Sequence, residues 1–483
     1  MTNLTPLLTD LYQLTMSAAY WKSGKSEQEA VFHLFFRRLP FTGGYAIAAG
    51  LADAVEYLRR FRFNAEEVAY LAKLKGNDGT PLFESGFLDY LRDLRMTCDV
   101  DAIPEGSLVF AHEPMMRIRG PVVQAQLFET ALLNILNFQT LVATKAARVC
   151  HSAKGDPVIE FGLRRAQGPD GAVMASRAAY LGGCAATSNV LAGQRLGIPV
   201  KGTHAHSWVM SFDSELESFL AYAKAMPHNC TLLVDTYNTL DGVRHAIEAG
   251  KTLRTKGHDL AGIRLDSGDL ATLSLEARAL LDAAGFQNAS IVASNDLDEQ
   301  LIESLKQQGA TINIWGVGTK LVTCYDQPAL GGVYKLGAVR GSDGEWDYKV
   351  KLSEQVAKIS NPGIQQIRRF KVDGKIVGDC IYDTELPREG PWTAVALDDP
   401  LKQIRYPDNS GEDVLVPIFR AGKEVAELPP LPAIREHTLS QLASLPDGTK
   451  RYLNPHIYPV GLEEGLHQKK LDLIKAARAA ATA

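Results

Sequence analysis

The chain has 483 residues, more than one hydrophobic core usually organises, so two or three domains are expected. Its 46% hydrophobic and 22% charged content excludes the disordered and fibrous classes. Lys and Arg number 51 against 56 Asp and Glu, a net charge of -5, which excludes a global electrostatic footprint for nucleic acid or an anionic membrane; anionic ligands must be met by local cations.

The opening MTNLTPLLTD has neither a basic n-region nor a long apolar h-region. No later stretch approaches the ~20 apolar residues of a membrane span, so the expectation is a soluble, cytoplasmic protein. TDLYQLTM puts Tyr12 on a helical pattern between Leu11 and Leu14, where a core tyrosine is the default reading. FFRRLPFTGGY pairs Arg37 with Arg38, either a cationic patch for a polyanionic substrate or two solvated side chains. Residues 1–140 mix helical stretches with the strand-like AIPEGSLVFAHEPMMRIRG, which reads as a small α/β domain. QLFETALLNILNFQTLVATKAARV reads as a helix feeding the next domain. The six cysteines (Cys98, Cys150, Cys184, Cys230, Cys324, Cys380) form no CxxC pair, which argues against a zinc ribbon and a disulfide framework and for reduced, buried thiols.

The most regular pattern runs from about Val158 to Thr319, within a barrel-like catalytic domain expected over residues 141–345. The apolar runs VIEFG, PVKGTHAH, TLLVDTY, AGIRLDS, SIVASND and INIWGVGT alternate with helical stretches such as VRHAIEAGKTL and EQLIESLKQQ. A spacing of roughly 30 residues per βα unit predicts a parallel sheet in an irregular or incomplete (β/α) barrel, with an open doubly wound sheet as the alternative. Nearly every run ends in chemically capable residues (Glu160 and Arg164, His204 and His206, Asp235, Asp266, Asn295, then Gly316 and Gly318), and barrel active sites collect at the C-terminal strand ends.

Within these runs each motif has a functional and a plain reading. In EFGLRRAQGPDG, Arg164 and Arg165 would face anions or solvent. In GTHAHSW, His204 and His206 would share one face of an extended strand, and three readings stay open: a metal pair, satisfied structural histidines, or one nucleophilic imidazole. The metal reading suits a barrel-type hydrolase but lacks further histidines at later strand ends. In RLDSGDL, Arg264 suits bidentate pairing with an anion, while Asp266 and Asp269 suit sugar hydroxyls or a magnesium ion; alternatively Ser267 or Asp269 caps a helix. GVGT offers Gly316, Gly318 and Thr319 as a phosphate cradle or as a simple turn, and no GxxxxGK[ST] signature exists to corroborate a nucleotide loop. Beyond residue 345, YKVKLSEQVAKISNPG, RRFKVDGKIVGDCIYD and ELPPLPAIREH predict a sheet-rich C-terminal segment, 346–483, packing on the N-terminal domain.

Taken together, LLTDLYQLTM, FRRLPFTGGYAIAAGL, EFGLRRAQGPDG, SNVLAG, GTHAHSWVMSF, VDTYN, RLDSGDL, SND and GVGTKLVTC resemble nicotinate phosphoribosyltransferases, in the same order and over most of the first 325 residues. The resemblance implies a type II phosphoribosyltransferase that joins nicotinate to phosphoribosyl pyrophosphate with coupled ATP hydrolysis, a ligase-type reaction at the entry to NAD salvage. It further implies magnesium, a homodimer with shared sites, phosphorylation of His206, and Tyr12 of one subunit against the pyridine ring bound by the other. By the same resemblance Thr203 and Arg264 lie near nicotinate, Phe161 and Arg164 supply a ring face and a cation, and Thr319 lies near the phosphoribosyl phosphate. Asn295, at the end of SIVASND, joins the substrate-binding set. Nicotinamide phosphoribosyltransferase, an enzyme of related fold, is the nearest alternative.

Overall fold

The computed structural model describes residues 4–482 apart from 355–357, 389 and 408–409. Two compact units emerge, one made of residues 1–141 and 329–483, the other of 142–328. The sequence suggests a break near 345, but the observed one lies at 328. The reason is a long-range pairing: the strand Gly332–Arg340 pairs antiparallel with Glu29–Phe36, which ties it to the first unit.

Residues 142–328 form the parallel unit. Its sheet has six strands in the order Ala186–Thr187, Val158–Glu160, Ile314–Val317, Ser290–Ala293, Gly262–Leu265, Thr231–Leu233, all parallel. This is a half-barrel. The strands are short and nearly all buried, as expected where helices cover a parallel sheet. Its helices follow the expected rule: Thr239–Arg254 buries Val243, Ala246, Ile247, Gly250 and Leu253, at spacings of three and four residues. Gly242 is required there, because a Cβ would sit 2.0 Å from the Val234 carbonyl oxygen of the neighbouring strand segment. The turns entering the helices end in capping side chains: Asn189, Asn238, Asp269 and Asp298 each accept a backbone N–H from the first turn.

PVKGTHAH departs from expectation. It forms no strand; Val200 makes one parallel bridge to Thr187, and His206 opens the short helix His206–Met210. His204 Nε2 instead accepts the edge N–H of Leu233 at 3.2 Å, so an imidazole satisfies a donor that a seventh strand would have used.

The first unit holds a seven-stranded sheet in the order Trp346–Tyr348, Gly332–Arg340, Glu29–Phe36, Met116–Pro121, Asp99–Ala102, Val416–Arg420, Lys423–Glu424, antiparallel throughout. A second, mixed sheet of six strands is drawn from residues 365–463. The C-terminal segment is therefore sheet-rich, as its sequence suggests. All six cysteines are free, five of them buried, and no described helix is long and apolar enough to cross a membrane.

Candidate active site

At the C-terminal ends of the parallel strands lies a polar cavity of about 210 Å³. Phe161, Arg164, Arg165, Arg264, Asp266, Ser294, Asn295, Asp296, Gly316, Gly318 and Thr319 line it. Side chains from four strand ends thus converge on one mouth.

Arg264, the third residue of Gly262–Leu265, is the best-fixed group there. Its Nε donates to Ser294 Oγ at 2.8 Å, one Nη to Asp266 Oδ1 at 2.9 Å, and the other to Thr203 Oγ1 at 3.3 Å. A guanidinium carries five N–H donors, so two remain for a ligand, and the ion pair with Asp266 keeps the plane fixed. The guanidinium carbon also stands 5.5 Å from the centroid of the Phe161 ring. That ring owes its position to Gly316, where a Cβ would lie 2.6 Å from two ring carbons. At Gly318 a Cβ would meet the Phe161 carbonyl oxygen at 3.2 Å, so these two glycines serve the close approach of the adjoining chain segments.

Glu160 does not line this mouth. Buried, it accepts hydrogen bonds from Gly162 N–H, Ser176 Oγ at 2.8 Å and Thr187 Oγ1 at 2.6 Å. It pins the turn on which Arg164 and Arg165 project. Both arginines are exposed, and neither forms an ion pair among the described residues. Across the mouth, Asn295 and Asp296 adopt positive φ values of 92° and 42°, a conformation that costs non-glycine residues free energy and clusters at binding sites.

Beside the cavity, His206 sits between two carboxylates. Its Nε2 lies 3.9 Å from Asp235 Oδ1 and 3.8 Å from Asp266 Oδ2, while Nδ1 contacts Thr236 Oγ1 at 3.1 Å. The Asp235 side chain is buried; its Oδ2 accepts the Asp266 N–H at 2.8 Å and the Ser267 hydroxyl at 2.7 Å, and its Oδ1 has no hydrogen-bond partner among the described residues. Two carboxylate oxygens, Asp235 Oδ1 and Asp266 Oδ2, therefore face the imidazole.

Asp269 is not brought to this group. As N-cap of Leu270–Ala283 its Oδ1 accepts the N–H groups of Ala271 and Thr272, and its Oδ2 the Thr272 hydroxyl at 2.7 Å. The Thr272 hydroxyl, with the backbone donors, holds its carboxyl below the usual range. His204 is likewise committed through Leu233, and burial lowers its pKa; among the described residues no group of three or more His, Cys, Asp or Glu is arranged to hold a metal. Tyr12 belongs to the other unit, on the helix Leu11–Lys22, and is 48% exposed, so it is no core residue. Leu8, Leu11 and Met16 are exposed beside it in sequence. Sequence reasoning passed over Ser294, Thr236 and Asp296; the signal available for all three was their place at the ends of SIVASND and VDTYN.

Three family profiles match in tandem: the nicotinate phosphoribosyltransferase N-terminal domain over residues 7–137, the nicotinate phosphoribosyltransferase family over 157–360, and the C-terminal domain over 365–470. The nicotinate phosphoribosyltransferase of Bacillus subtilis is 43% identical over 476 residues, covering 97% of this chain and 95% of that relative. The nicotinate phosphoribosyltransferase of Homo sapiens is 36% identical over 520 residues, covering 95% of each. The crystal structure of human nicotinic acid phosphoribosyltransferase superposes with a TM-score of 0.83 at 33% identity, over 96% of this chain and 99% of that one.

Proposed function

This chain belongs to the nicotinate phosphoribosyltransferase family, and on that footing we propose that it transfers the phosphoribosyl group of phosphoribosyl pyrophosphate to nicotinate. The observation that carries this reading is Arg264, fixed on three sides with two donors unspent and an aromatic ring alongside. A flat aromatic carboxylate needs that pairing of ring face and guanidinium fork. In the reaction the pyridine nitrogen forms a bond to the ribose C1 carbon as the bond from C1 to pyrophosphate oxygen breaks; the nitrogen lone pair is the nucleophile, so no general base is required. Arg164, Arg165 and the backbone around Gly318 and Thr319 receive the phosphates, and fixed charges of this kind stabilise the leaving pyrophosphate without reorganisation. Asn295 and Asp266 face the sugar.

ATP enters through His206. With Nδ1–H donated to Thr236, the Nε2 lone pair attacks the terminal phosphorus of ATP, ADP departs, and hydrolysis of the phosphohistidine later releases phosphate. A phosphoryl group on Nε2 would lie beside two carboxylates, a repulsion that needs balancing charge. The free oxygens Asp235 Oδ1 and Asp266 Oδ2 fit a magnesium ion carried in on substrate phosphates, which typically uses one or two protein carboxylates; Asp269, spent as a cap, has no part in it. Such an ion supplies charge neutralisation for the phosphates. Exposed Tyr12, with Leu8, Leu11 and Met16, supports a homodimer in which Tyr12 of the partner subunit closes over the pyridine ring. The free cysteines suit a cytoplasmic enzyme.

Incubation with nicotinate, phosphoribosyl pyrophosphate, magnesium and ATP is expected to yield the mononucleotide together with ADP, with nicotinamide a far poorer substrate. Absence of the mononucleotide rejects the reading. His206→Ala should abolish ATP stimulation while slow ATP-independent transfer persists; a variant that still couples ATP hydrolysis to transfer removes His206 from the scheme.

A further inference from the structure

The unit formed by residues 1–141 and 329–483 contains a cavity of about 620 Å³, inside the roughly 300–1,000 Å³ range of ordinary small-molecule sites. Nothing in the proposed transfer uses it. One wall is the helix Glu464–Thr482, which turns His467, Lys470, Leu471 and Ile474 inward at spacings of three and four residues. Opposite stand Ile404 and Tyr406, with Phe110 and Tyr458 stacked on each other at 3.8 Å between centroids. His112 also faces in, held at a φ of 71°.

The charge on these walls is one-sided. Lys402 and Lys470 are cations and His112, His456 and His467 are titratable, against the single carboxylate of Asp398. Lys470 matters most: its ammonium donates to Asn361 Oδ1 at 2.8 Å and has no carboxylate in ion-pair range among the described residues. Burial pulls its pKa down to about 8 and that of His112 to about 4, so an anion brought to this point relieves an unfavourable charge burial. A multiply charged phosphate is poorly suited, because most of the wall is hydrocarbon and cannot replace its water.

We propose that this cavity binds a small amphipathic monocarboxylate, its apolar body along Ile404, Tyr406 and Ile474 and its carboxylate on Lys470. The site is separate from the half-barrel mouth and is built wholly from the other unit. Octanoate is the probe, measured by isothermal titration calorimetry on the full chain, with octylamine as the control of opposite charge. Octanoate should bind with one site per chain and octylamine should not. Lys470→Met, which keeps the packing and removes the charge, should weaken octanoate at least tenfold, as should Ala396→Trp, which fills the cavity. Arg264→Ala should leave octanoate binding unchanged. Circular dichroism checks that each variant is folded; should Lys470→Met fail to fold, Ala396→Trp and the octylamine control still decide. No octanoate binding to the wild-type chain, equal binding of octylamine, unchanged affinity in folded Ala396→Trp, or loss of binding in Arg264→Ala would each overturn the proposal.

Discussion

At the half-barrel mouth, about 210 Å³ is walled by three arginines, two aspartates and glycine-bearing backbone, whereas the cavity beside Phe110 offers about 620 Å³ of chiefly hydrocarbon wall around Lys402 and Lys470. Volume alone would choose the second as the reaction centre. Preorganisation chooses the first: Arg264 is held by three hydrogen bonds, and Asp266 is fixed through Arg264, Ser294 and the buried carboxylate of Asp235. A reaction that separates charge needs dipoles already in place, which a roomy apolar cavity cannot provide.

The largest expected effect tests that contrast at its centre. Arg264→Ala should lower kcat/KM for mononucleotide formation roughly 100-fold or more, the loss of two charge-assisted hydrogen bonds, with little change in melting temperature. Arg264→Lys should recover little, since an ammonium cannot reproduce the fork. Gly316→Ala sharpens the picture: the added Cβ must displace the Phe161 ring, so KM for nicotinate should rise roughly tenfold at a stability cost of about 1–3 kcal/mol. An unchanged KM would remove Phe161 from ring recognition.

The unit of residues 1–141 and 329–483 should lose stability in acid through one histidine. His33 is fully buried, its Nε2 accepts the Gln365 N–H at 3.2 Å, and burial lowers its pKa to about 3. A histidine depressed in the folded state leaves the unfolded chain binding the extra proton, so its contribution is intact above the unfolded value near 6.5 and is lost as pH falls from there toward 3. The loss should approach roughly 1.4 kcal/mol per pH unit, and His33→Gln, read by urea unfolding from pH 7 to 4.5, should flatten the slope. The smallest effect belongs to Asp269→Ala: a slight fall in melting temperature for the lost helix cap, with turnover nearly intact. A collapse of turnover like that expected of Asp266→Ala would return Asp269 to the reacting group.

Much of this was legible in the sequence, but unevenly. The βα rhythm foretold a parallel sheet and the gathering of polar residues at its C-terminal strand ends, because period and strand ends are local properties. Arg264 and Asp266 could be placed together for the same reason. Asp269 could not be separated from them: three residues on, the same carboxylate chemistry serves a helix cap, and only the chain's direction after Gly268 decides which. PVKGTHAH has the alternation of a strand, yet His204 spends its side chain on Leu233 where a strand would have spent its backbone. The place of Ser294 at a strand end is legible, but its role is not, since that depends on Arg264, thirty residues earlier. The break at 328 has no local signal either, since it depends on the pairing of Gly332–Arg340 with a strand some 300 residues away in the chain.

The most direct test is a crystal structure of the chain grown with nicotinate. The pyridine ring is expected against Phe161, with its carboxylate within hydrogen-bond distance of the two unspent Arg264 donors. Nicotinate lodged on Lys470, with the half-barrel mouth holding none, would contradict the assignment of Arg264 as its anchor.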